Sequence, residues 1–116
     1  MLRRALHATL VALLMVSAGF AADITGNWQF SLQTPTTKGS PSFEFKQDGE
    51  NLTGNYTGKF GTSTLSGTVK GDQVEFSFDA PGGKFLYKGT VDGPTSMKGD
   101  FELVGKEKGT FTATKK

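Results

Sequence analysis

The sequence predicts an all-β domain, an antiparallel up-and-down meander of about eight strands, closed or nearly closed into a barrel. Three observations carry that expectation. Short stretches alternate strictly between apolar and polar residues, the period of a strand with one buried and one solvated face. Asp-Gly, Gly-Asp, Pro-Gly and Gly-Pro pairs separate those stretches. No helical period follows the first twenty-odd residues.

The first strand is read over Thr25 to Gln33, with Trp28, Phe30 and Leu32 on one face and Asn27, Gln29, Ser31 and Gln33 on the other. Thr34 to Pro41 is the longest expected loop, its two prolines being unfit for a central strand. Ser42 to Gln47 follows, with Phe43 and Phe45 inward, and Asp48-Gly49-Glu50 turns the chain. Asn51 to Lys59 places Leu52, Gly54, Tyr56 and Gly58 on one face. Thr62 to Lys70 does the same with Leu65, Gly67 and Val69. Gln73 to Asp79 carries Val74, Phe76 and Phe78, and Pro81-Gly82-Gly83 breaks it. Lys84 to Asp92 carries Phe85, Tyr87, Gly89 and Val91, with Leu86 as an outward exception. Thr95 to Val104 carries Met97, Gly99, Phe101 and Leu103, and Lys108 to Lys115 carries Gly109, Phe111 and Ala113. Tight connections favour antiparallel pairing of neighbours, and closure removes exposed edges. A flattened sandwich or half-open barrel is the alternative.

Residues 1–21 read as a secretory signal peptide: Met1-Leu2-Arg3-Arg4, an apolar run from Leu10 to Val16, then small residues with a cut after Ala21. Residues 22–116 then form one domain, periplasmic or extracellular. Both arginines and the single histidine fall in the leader, which leaves 11 lysines against 11 acidic residues. The balance argues against nucleic acid as a partner. With no cysteine there is no disulfide, so packing alone must hold the fold; nine phenylalanines, two tyrosines and Trp28 supply it. The strands are short for a membrane barrel and one face is Thr, Ser, Lys, Glu and Asp, so the domain is not expected to be membrane-embedded. The glycines at inward positions (Gly54, Gly58, Gly67, Gly89, Gly99, Gly109) read as points of strand curvature, and alternatively as space for a ligand.

Catalytic groups are scarce. Without His or Cys after the leader, Ser-His-Asp, Cys-His and His/thiolate zinc sites are excluded. Asp100 with Glu102, and Glu75 with Asp79, share outward faces beside lysines and read as surface charge. No enzymatic activity, metal or cofactor is expected. Tyr56 and Tyr87 face inward by alternation. Each hydroxyl needs a partner or an opening to water, either at the barrel rim or as a hydrogen-bonding group in a ligand mouth.

Gly26-Asn27-Trp28 opening the first strand, the eight-strand meander and the terse hairpins resemble the calycin-type barrels, the lipocalins and avidins. Ile24 to Trp28 and Asp48 to Tyr56 look locally like the first two avidin strands. The pattern is also similar to short exported bacterial proteins of unknown role. The resemblance implies the barrel fold and a ligand at one open end, near Trp28, Tyr56 or Tyr87. Lipocalins pair the first-strand Trp with a late basic residue, usually Arg; here only Lys115 or Lys116 is available. The avidin biotin cage uses several tryptophans and this chain has one, so biotin binding is not implied. The expected function is therefore a small exported binding module for an apolar ligand. The alternative is an interaction or inhibitor scaffold acting on an envelope protein through Thr34 to Pro41 and Ala80 to Lys84.

Overall fold

The computed structural model describes residues 22–36 and 38–116; the leader read over residues 1–21 lies outside the described residues. Alternation and turn chemistry produce the expected strands: β1 (Gly26–Gln33), β2 (Lys38–Gly39), β3 (Ser42–Asp48), β4 (Asn51–Gly58), β5 (Gly61–Lys70), β6 (Gln73–Ala80), β7 (Gly83–Val91), β8 (Ser96–Leu103) and β9 (Glu107–Lys115). Consecutive strands from β3 onward pair antiparallel, and β1 pairs with both β3 and β9. The β1–β9 ladder runs from Trp28↔Lys115 to Gln33↔Thr110, so the sheet closes on itself. That ladder closes the barrel, against the alternative of a flattened sandwich or half-open barrel.

β2 is the one element absent from the sequence reading, which placed all of Thr34 to Pro41 in a loop. Its pairs Leu32↔Gly39 and Gln33↔Lys38 continue the register of the β1–β3 pairs Gly26↔Phe45 to Gln29↔Ser42. β2 and β3 are thus one strand interrupted at Pro41. The Phe30 N–H donates to the Pro41 carbonyl at 3.0 Å, but the reciprocal bond cannot form because proline has no N–H.

The inward faces merge into one aromatic interior. Phe30 stacks on Phe111 at 4.9 Å and meets Phe43 at 4.5 Å. Phe76 and Tyr87 stack at 4.7 Å, and Phe78 stacks on Tyr56 and Phe85 at 4.4 and 5.0 Å. Such pairs contribute about 0.5–1.5 kcal/mol each beyond the area they bury. The inward glycines let the strands bend around these rings. A Cβ on Gly54, Gly67 or Gly99 would collide with the backbone carbonyl of Glu44, Glu75 or Lys88 on the adjacent strand. Gly58 has another role, since a Cβ there would lie 2.6 Å from the Tyr56 hydroxyl.

One end of the barrel is sealed by residues 22–25. Ile24 is buried, and its carbonyl accepts the Trp28 Nε1–H at 2.9 Å. Gln47 clamps this strap: its Oε1 accepts the Ile24 N–H at 2.9 Å, and its Nε2 donates to the Ala22 carbonyl at 2.7 Å and the Gly49 carbonyl at 3.0 Å. The Ala22 N–H reaches the Gly71 carbonyl at 2.9 Å. Lys115, opposite Trp28 in the ladder, lays its stem across Gly26, where a Cβ would sit 2.8 Å from its Cε. The Thr25 N–H and then its hydroxyl hold the Asp23 carboxyl below its usual range against a small opposing effect of burial, and Lys115 adds to this.

Two substitutions test these contacts. Gly67→Ala is expected to cost about 2 kcal/mol or more in urea unfolding, because the collision is with backbone. Gly39→Ala, whose Cβ would meet only Leu32 at ordinary distances, should stay within about 0.5 kcal/mol. Similar losses at both positions would refute curvature as the role of Gly67. Gln47→Ala is expected to destabilise by about 2 kcal/mol and shift the Trp28 emission to the red as the strap lifts; an unchanged spectrum and midpoint would show that the strap holds without Gln47.

Candidate functional site

At the opposite end the rings do not meet across the barrel. A cavity of about 200 Å³ opens there, lined chiefly by Leu32, Tyr56, Phe60, Phe85, Tyr87, Phe101 and Leu103, with Pro41, Lys38, Lys59 and Glu107 at its mouth. The β1–β2 loop and the β4–β5, β6–β7 and β8–β9 turns surround it. The interrupted strand contributes directly, since Gly39, Ser40 and Pro41 form one wall.

Of the three residues singled out from sequence, Tyr56 and Tyr87 line this cavity and Trp28 does not. Trp28 is fully buried at the sealed end, with its indole N–H satisfied by Ile24. Alternation placed it inward but could not say toward which end. Tyr56 fits the rim expectation: its hydroxyl accepts the Phe60 N–H at 3.3 Å, in the turn at the mouth. Tyr87 departs from that expectation. It is 1% exposed, and its ring is surrounded by Phe30, Phe43, Phe76, Phe78, Phe101 and Phe111. Among the described residues its hydroxyl has no hydrogen-bond partner. Burial pushes its ionisation well above the ordinary tyrosine range, and the neighbouring Tyr56 phenol raises it further.

Sequence reasoning missed two features of the mouth. Phe60, 37% exposed, and Val104, 44% exposed, are the large hydrophobic side chains left open to solvent among the described residues, and both sit on turns at this end. Phe60 leans on Phe85 at 5.7 Å, with the Lys59 ammonium 5.9 Å from its ring centre. The second feature is charge. Every connection at the open end has a lysine in or beside it: Lys38, Lys59, Lys84 and Lys106. Every turn at the sealed end has an aspartate: Asp48, Asp72 and Asp92. Asp79, opposite Lys84 in the ladder, is also at the open end, and Lys70 and Lys115 are at the sealed end. Glu107 is the acid at the mouth, and its Oε1 accepts the Thr36 hydroxyl at 3.1 Å.

No protein-family model and no curated protein matches the chain. Among solved structures it is similar to a redesigned β-barrel at 20% identity and a TM-score of 0.67, covering 86% of this chain and 95% of that one. It is also similar to a de novo designed fluorescence-activating β-barrel, at 14% identity and a TM-score of 0.60, with 86% and 97% covered. A further redesigned barrel, solved bound to DFHBI, matches at 20% identity and a TM-score of 0.60, with 80% and 94% covered. At these identities the likeness is one of fold.

The Tyr87 hydroxyl makes a stability prediction. Removing an unsatisfied buried donor costs nothing in hydrogen bonds, so Tyr87→Phe should leave urea stability at neutral pH unchanged or raise it by about 1 kcal/mol. Because the folded-state pKa is raised above the unfolded value, the phenol's contribution is intact below about pH 10 and is lost as pH rises beyond it. The wild type should therefore lose stability faster than Tyr87→Phe above that pH. Equal alkaline slopes in the two proteins would contradict the buried, unpaired phenol.

Proposed function

We propose that this barrel is an exported binding protein, without catalytic activity, that holds a compact and largely apolar ligand in the cavity at its open end. The carrying observation is the asymmetry of the interior: rings and the Gln47-clamped strap close one end, and an apolar cavity faces solvent at the other. Volume bounds the ligand. An apolar protein cavity of about 150 Å³ accommodates benzene, so about 200 Å³ suits one ring with a short substituent. That is below the usual range for drug-sized ligands. Designed barrels of this fold, including one solved bound to DFHBI, support the reading in that such a scaffold can bind a small ligand. Once the leader is removed, the protein would work in the periplasm or outside the cell.

The second reading is a scaffold that docks an envelope protein. Exposed Phe60 and Val104 at the mouth favour it, as does the position of Thr34 to Pro41 and Ala80 to Lys84 at that same end.

Titration with single-ring aromatic compounds, followed by amide NMR shifts, separates the two. Saturable shifts at Leu32, Phe60, Phe85 and Leu103, with Trp28 unmoved, are expected for the ligand-binding barrel. Trp28 emission should stay indifferent to such ligands because the indole is sealed at the other end. A barrel unresponsive to every compound would leave the docking scaffold as the reading to pursue.

A further inference from the structure

We infer that the ligand carries a neutral hydrogen-bond acceptor, a carbonyl-type oxygen on a small aromatic body, received inside the barrel by the hydroxyl of Tyr87. The inference rests on the ligand-binding reading and names the chemistry of that site. Tyr87 borders the cavity, is 1% exposed, and has no hydrogen-bond partner for its hydroxyl among the described residues. An unsatisfied buried hydroxyl is expensive, and a phenylalanine would pack there without that cost. A ligand oxygen is what such a donor is suited to meet.

Tyr56 supplies a second donor. Its oxygen accepts the Phe60 N–H, which leaves its own hydrogen to give. Gly58 keeps this phenol in place, since any side chain there would strike it. Two buried tyrosines therefore border one apolar cavity. They favour a neutral acceptor over a buried anion, because no charged side chain is buried in the described interior to compensate a carboxylate. The lysines that border the cavity, Lys38 and Lys59, are exposed to solvent.

The test compares two compounds of nearly the same shape, acetophenone and α-methylstyrene, which differ in C=O against C=CH₂. Their affinities for the wild type, Tyr87→Phe and Tyr56→Phe would be measured by NMR titration, with amide spectra confirming that each variant is folded. The wild type should bind acetophenone about fivefold or more tightly than α-methylstyrene. In Tyr87→Phe that preference should vanish or reverse, because the carbonyl would then be desolvated without a donor, while α-methylstyrene binding is retained. Equal affinities in the wild type, or a preference that survives Tyr87→Phe, would overturn the inference while leaving a ligand-binding barrel intact. A preference lost only in Tyr56→Phe would overturn the assignment to Tyr87. Binding of neither compound would count against the ligand-binding reading itself, and this inference would fall with it.

Discussion

Interlocked aromatic rings in a single closed interior are the condition on which the rest of this molecule depends. There is no cysteine to staple the fold, and among the described residues the buried apolar side chains form one cluster. Phe30 from β1, Phe43 from β3, Phe76 from β6, Tyr87 from β7 and Phe111 from β9 meet one another across the barrel axis. Closure and packing are therefore one event. The β1–β9 ladder can form only when these faces turn toward a common centre, and the faces are buried only when the ladder forms. The inward glycines make that curvature possible, because a side chain at Gly54, Gly67 or Gly99 would hold neighbouring backbones apart.

The two ends solve the closure problem differently. At one end a strap of four residues is folded under the barrel and fixed by Gln47, Trp28 and Lys115. At the other, Pro41 interrupts the strand, and Lys59 and Phe60 of the β4–β5 turn stand at the mouth. A lysine stands in or beside each connection that surrounds the cavity.

Tyr87 joins the two halves of this account. Its ring is a central piece of the packing, and the residue also borders the cavity. A residue can carry both roles because a phenol is a large apolar disc with one polar atom at its edge. Stability constrains the disc, and the chemistry of the site resides in the polar atom.

The strands, their inward faces, the turns and the antiparallel meander were legible in the sequence because each depends on a period of two or on residues adjacent in the chain. Closure was a sound expectation from the same pattern, and so was the inward direction of Trp28, Tyr56 and Tyr87. Only the tertiary structure decided which end is sealed, that Trp28 lies there, and that Lys38–Gly39 extends β3 beyond Pro41. The Gln47 clamp and the unpartnered Tyr87 hydroxyl were likewise hidden. Each of these is set by register between strands far apart in sequence, and alternation specifies which face a side chain takes but not how far along the barrel it stands.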